Sequence, residues 1–228
     1  PLLVIYGLGT ILIPEARNGV DLVSSLLAWT FRVLGAGTAA PVAAYYASFY
    51  GLLAAANVGL VVYLRKKGRF EGRVFLPLIF ESAFYAVVVG TVSSALTNQL
   101  LNAVPLATSV VPLVAGESMG PVTGVFVSAG AGLHEEFVFR LIGIGAVARL
   151  WLGVQWRSQL GKLLVIVVVS SLLFSAVHHV VEPFGLQVFT FRTFAGLVFS
   201  ALYLLRGFAV AAWTHALYDV WVIVVLGA

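Results

Sequence analysis

His134-Glu135-Glu136-Phe137-Val138-Phe139-Arg140 lies inside a run of apolar and small residues that extends over positions 119–150. A run of that length is enough to cross a bilayer, which takes roughly 20 mostly apolar residues. Two adjacent carboxylates and an arginine at its middle are then expensive, at about 2.5–3.5 kcal/mol for each charge at a helix centre. Ionisable clusters at that depth mark functional sites by default. The rest of the chain reads as what surrounds, completes and shields this one.

Working outward, 61% of the 228 residues are hydrophobic and 10% are charged, and the mean hydropathy is +1.05. Soluble domains are typically about 45–50% apolar and about 25% charged. The composition therefore excludes an ordinary water-soluble domain. It predicts an all-α, polytopic membrane helix bundle with an intramembrane polar cavity. Residues 1–228 are expected to form a single integral membrane domain, with residues 119–228 as its motif-bearing core. Membrane lipids are an expected partner. The net charge of +4 resides in Lys and Arg grouped between apolar runs, so it reads as topology and no nucleic-acid partner is expected. The absence of cysteine excludes disulfides and thiolate metal sites. Residues 1–13 have no basic stretch and no small-residue cleavage site, so no signal peptide is expected there.

The apolar runs predict about eight helices. Residues 2–13, which read as the end of a spanning helix or an interfacial segment, and residues 20–35 are the short ones. Residues 42–64, 76–101, 119–150, 162–180, 186–205 and 208–226 are full spans. Residues 14–19 and 35–41 read as turns by composition. Asp21 and Arg32 lie near the ends of their segment and are expected to reach the interface. Glu81, about a turn and a half inside its span, is read in the same way. The Arg65-Lys66-Lys67-Gly68-Arg69 loop, with Arg73 close by, is expected to be cytoplasmic by the positive-inside rule. Arg149, Arg157 and Lys162 mark a second such loop and Arg206 a third. Residues 102–118 carry no Lys or Arg, as an outside loop should. The cell membrane of a prokaryote is the expected location.

Three segments carry residues able to do chemistry. Glu136 and Arg140 are four apart and share a helix face, so they can form a structural ion pair. Glu135 points elsewhere and is left needing another reason to exist. His134 is a weaker candidate beside it. Phe174 and His178 are likewise four apart, in Phe174-Ser175-Ala176-Val177-His178-His179, and a histidine facing Glu135 would make a carboxylate–imidazole pair. The spacing does not choose between His178 and His179. His215 and Asp219 share a face in the last span, and a ring N–H of His215 is expected to point at Asp219 and fix its tautomer. The depths of Glu135, His178, His215 and Asp219 scatter over roughly 10 Å at 1.5 Å per residue, so they are able to converge.

With these motifs in view, the chain resembles the CAAX-type prenyl-protein endopeptidases and bacteriocin-processing or self-immunity membrane proteins. Their pattern is Glu-Glu-x-x-x-Arg, then Phe-x-x-x-His, then His-x-x-x-Asn or His-x-x-x-Asp, each on its own transmembrane helix. The resemblance implies Glu135 as the catalytic glutamate, His178 as its partner, and His215 with Asp219 at the oxyanion site. Glu136, Arg140 and Phe174 are implied as structural support; His134 and His179 match no motif position. Glu135 would be the general base on a water, giving an intramembrane endopeptidase acting on a membrane-tethered peptide or protein, prenylated CAAX substrates being the eukaryotic case. Where some members have asparagine this chain has Asp219, and an ionised aspartate repels an oxyanion. Asp219 is therefore protonated, or only orients His215, or shares in a metal site. Glu135, His178, His215 and Asp219 are acceptable zinc ligands, so Zn2+ stands as a candidate cofactor, although the His-Glu-x-x-His pattern is absent.

Two other readings compete. A non-enzymatic scaffold or immunity-type protein would keep the same residues as a structural polar core. A proton-coupled transporter would use them as a relay, but no paired half-helices or inverted repeat is evident.

Overall fold

The computed structural model describes residues 1–13, 42–68, 71–103, 120–180 and 182–226. The expected short helix over residues 20–35, its flanking turns, Arg69 and most of the loop at 102–118 lie outside the described residues. Within them the chain is all-helical. Seven helices follow in order: α1 (Leu2–Leu12), α2 (Val42–Lys66), α3 (Phe75–Ala103), α4 (Pro121–Glu136), α5 (Leu160–His178), α6 (Leu186–Arg206) and α7 (Phe208–Asp219). Two of them continue with a wider winding. A π-helical stretch, Phe137–Ala146, carries α4 on to the turn Val147–Leu152, and Val220–Val225 extends α7.

Helix boundaries follow local chemistry. Pro121 occupies the first turn of α4, where its missing N–H costs nothing. Gly153 and Gly207 end their helices at φ 76° and 90°, a left-handed conformation that only glycine adopts without strain.

The helical segments Gly72–Ala103, Leu160–His178, Leu186–Arg206 and Phe208–Val225 are long and apolar enough to cross a membrane, and the protein is an integral membrane protein. The motif-bearing helix is long enough, but Glu135, Glu136 and Arg140 interrupt its apolar character. Over Leu2–Leu12, α1 packs in the core: Tyr6 is fully buried and its ring covers Gly130 of α4. The expected count of about eight spans is approximate: among the described residues there are seven helices, and four helical segments meet the length and hydropathy of a span.

Small residues let the central helices approach closely, as membrane bundles require. A Cβ on Gly132 would lie 2.5 Å from the Ala212 carbonyl oxygen and 2.6 Å from the Ala216 nitrogen, so α4 and α7 meet backbone to backbone there. A Cβ on Gly196 of α6 would lie 3.1 Å from Ser171 Cβ of α5. These two approaches bring α4, α5, α6 and α7 together around the acidic pair.

Candidate active site

Glu135 and Glu136 end α4 and are 4% and 0% exposed. Being adjacent on a helix, they point about 100° apart, and they enter different environments.

Glu136 faces a closed electrostatic group. Its Oε1 lies 3.0 Å from Arg140 Nη1 and 2.8 Å from His215 Nδ1. Arg140 is fully buried, donates from Nη2 to the Gly196 carbonyl at 3.2 Å, and lies with its guanidinium 4.4 Å from the Phe174 ring centre and 5.4 Å from that of Phe199. Aromatic faces favour a cation there. The expected Glu136–Arg140 pair is therefore joined by a third member that sequence spacing could not supply.

His215 takes a partner besides the one expected. Its Nδ1–H donates to Glu136 at 2.8 Å, while Nε2 faces Asp219 Oδ2 at 3.5 Å. The reason is packing: the close approach at Gly132 presents Glu136 to α7, whereas Asp219 shares a helix with His215 and reaches it only along the helix face. The His215 ring also stacks on Phe199, with 4.5 Å between centroids and 18° between planes.

Glu135 faces the other way. Its Oε2 lies 3.6 Å from His178 Nε2 and 3.8 Å from His215 Nε2. With the Asp219 contact, four side chains from α4, α5 and α7 converge. Their separations are in the range of ion pairs but longer than good hydrogen bonds. The backbone fixes the orientation of His178: its Nδ1 lies 2.8 Å from the Phe174 carbonyl, which can only accept. Nδ1 therefore carries a hydrogen, and Nε2 is the ring nitrogen presented toward Glu135. Phe174 supports this edge-on, 5.3 Å from the His178 ring and 5.8 Å from that of His215.

The other two histidines go elsewhere. His134 Nδ1 bonds the Gly130 carbonyl at 2.9 Å and its ring packs edge-on against Tyr6 at 4.9 Å, toward α1. His179 sits 3.2 Å from the Pro183 carbonyl, among Phe184 and Phe189. Glu81 is bound through both oxygens to Arg206, at 2.5 and 2.9 Å, and takes no part in the cluster.

Several contributors were not evident in the sequence. The π-helical winding begins immediately after Glu136 and loosens the backbone bonding of that turn; Ser170 of α5 bonds the Phe139 carbonyl at 2.6 Å. Phe199 belongs to no motif, and nothing in the sequence singles it out from the other phenylalanines of α6. Arg192 did carry a signal, being a lone cation inside an apolar run. It pairs through both nitrogens with Glu182, at 2.6 and 3.1 Å, at the end of the bundle nearest His178. Burial raises the Glu182 carboxyl, but the hydrogen bonds and charge of Arg192 outweigh it and hold that carboxyl below its usual range.

Glu135, His178, His215 and Asp219 offer donor atoms suited to zinc. Among the described residues, however, no group of three or more such side chains is arranged to hold a metal ion.

Residues 117–221 match the model of the Rce1-like family, described as Type II CAAX prenyl endopeptidase Rce1-like. The matched region contains all three motifs. No curated protein and no solved structure matches the chain.

Proposed function

We propose that the protein is a CAAX-type intramembrane protease, which hydrolyses a peptide bond of a membrane-associated substrate with a water activated by Glu135; the match of residues 117–221 to the Rce1-like family model supports this reading. The observation that carries this reading is the division of the acidic pair. Glu136 is engaged by Arg140 and His215, whereas Glu135 faces His178, His215 and Asp219.

In this reading the attacking water sits between Glu135 Oε2 and His178 Nε2. His178 accepts one of its hydrogens and orients it. Glu135 takes the other as the oxygen attacks the scissile carbonyl, and later returns that proton to the leaving amine. General-base assistance of this kind contributes about 10²–10⁴-fold. The developing oxyanion accepts a hydrogen bond from His215 Nε2–H, a contact worth about 2.7–4 kcal/mol. Donation from Nε2 while Glu136 holds Nδ1–H calls for the doubly protonated ring, whose charge Glu136 and Asp219 flank. Asp219 then serves to position His215 and needs no contact with the oxyanion. No step is routed through a metal. Prenylated CAAX-type peptides are the proposed substrate class.

The test is cleavage of a pool of membrane-tethered peptides by purified wild type and Glu135→Gln protein in detergent, with and without a chelator. The expected result is cleavage by wild type, unaffected by chelator and lost in the variant. Equal cleavage by Glu135→Gln overturns the reading. Loss on chelation replaces it with a metalloprotease using His178 and His215 as ligands. A wild type that cleaves nothing favours the alternative, a scaffold or immunity-type protein whose polar core is structural.

A further inference from the structure

A groove of about 370 Å³ runs along the bundle between α5 and the stretch that continues α4. Val147 and Trp151 belong to one wall, and Val165, Val169 and Leu173 to the other. All five side chains are exposed, so the groove opens outward. Ser170 supplies the one hydroxyl among its lining residues, and the Phe139 carbonyl accepts it at 2.6 Å. No other lining side chain but the Trp151 indole has a polar atom to offer, and apolar spaces of this kind stay dry. Hydrocarbon is what fits them. At its inner end the groove meets Phe139, whose ring packs edge-on against Phe174 at 5.4 Å. Phe174 in turn supports His178 and His215.

The other end carries a charge. Lys162, Val165, Val169 and Leu173 are spaced i, i+3, i+7 and i+11, so Lys162 continues the groove face of α5 by one turn. Gln159 donates from Nε2 to the Leu152 carbonyl at 2.9 Å, which places Trp151 at the same end as Lys162. Lys162 is exposed, and its Nζ bonds a neutral oxygen, Gln159 Oε1, at 3.1 Å. Among the described residues no carboxylate forms an ion pair with it. Lysine and tryptophan side by side at the end of a span are what a membrane–water boundary selects. From Lys162 to Leu173 the helix rises about 16 Å. One leaflet of a roughly 30 Å hydrocarbon core is about 15 Å deep. The groove thus has the polarity, charge and length of a single lipid: a cation at the boundary and an apolar channel one leaflet long.

We propose that this groove binds an anionic membrane phospholipid, its phosphate against Lys162 beside Trp151 and one acyl chain laid along Val165 and Val169 to Leu173 and Phe139. The site is separate from the catalytic cluster and does not rest on the protease reading. Through Phe139 and Phe174 the bound chain braces the aromatic support of the two histidines.

The test titrates purified wild type in neutral detergent with phosphatidylglycerol or phosphatidylcholine and counts bound lipid by native mass spectrometry. Wild type is expected to bind phosphatidylglycerol about fivefold more tightly, the usual contribution of one lysine beside anionic headgroups. Lys162→Gln is expected to lower phosphatidylglycerol to the affinity of phosphatidylcholine. Val169→Phe places a ring in the groove and is expected to remove one bound molecule of either lipid. Excess phosphatidylglycerol should raise the thermal unfolding midpoint of wild type more than that of Val169→Phe. Equal affinity of wild type for the two lipids overturns the proposal, as does either variant binding both lipids like wild type. A Val169→Phe protein that keeps phosphatidylglycerol but loses a prenylated peptide assigns the groove to the substrate and also overturns it. Lys162 is exposed, so Lys162→Gln carries the test if Val169→Phe fails to fold. Lipid binding needs no catalysis, and the same result is expected in a Glu135→Gln background.

Discussion

His215 Nδ1 lies 2.8 Å from Glu136 Oε1, and the same oxygen lies 3.0 Å from Arg140 Nη1. One carboxylate oxygen thus ties the last helix to the motif-bearing helix and balances a guanidinium with no solvent exposure. Removing one partner of such a group leaves a buried charge uncompensated, which typically costs about 3–5 kcal/mol. Glu136→Gln is expected to destabilise the protein by that order. The check is a fall in the thermal unfolding midpoint in detergent.

Glu135→Gln should behave in the opposite way. The proposed role of Glu135 is to receive a proton, and glutamine has nearly the same shape. Cleavage is expected to drop by about 10²–10⁴-fold, the usual range for a lost general base. The unfolding midpoint should stay close to wild type. A large fall in stability with cleavage retained would instead assign Glu135 a structural role.

Gly132→Ala tests the interface that brings His215 to Glu136. The added methyl would meet the Ala212 carbonyl oxygen at 2.5 Å and the Ala216 nitrogen at 2.6 Å, both backbone atoms that cannot swing aside. Overpacking usually costs about 1–3 kcal/mol. The helices should separate enough to weaken the His215–Glu136 bond, so activity and thermal stability are expected to fall together.

Asp219→Asn separates positioning from direct catalysis. Asp219 Oδ2 is 3.5 Å from His215 Nε2, and an asparagine keeps an oxygen at the same reach. Cleavage is expected to stay within about tenfold of wild type, a change of roughly 1.4 kcal/mol in barrier. His215→Ala should lose about 10²–10³-fold in kcat, as expected for an oxyanion donor. Kinetics on the same peptide compare the two.

The Glu182–Arg192 pair predicts a pH dependence of stability. Arg192 holds the Glu182 carboxyl below the ordinary value of 4.5. A carboxyl whose pKa is lower in the folded protein stabilises it in full above the unfolded value, and that contribution is lost as pH falls through the folded one. Wild type should therefore unfold at a higher temperature than Glu182→Gln near neutral pH. The difference should shrink as pH falls below 4.5 and vanish once pH is below the lower value of the folded protein, and thermal melts of both proteins across that range check it.

Charge inside an apolar run is visible in a sequence because lipid makes it costly wherever the helix lies. Glu135, Glu136 and Arg140 could therefore be singled out from residue order, and spacings of four placed Glu136 with Arg140 and His215 with Asp219 on shared faces. The membrane class and the helical architecture were legible for the same reason. What the sequence could not determine were contacts between helices. The bond from His215 to Glu136 depends on two backbones meeting at Gly132, and the orientation of His178 depends on its carbonyl partner one turn back. The stacking of Phe199 and the core position of α1 likewise arise only when distant segments pack. Periodicity specifies which face of a helix a residue occupies; only tertiary structure decides what that face meets.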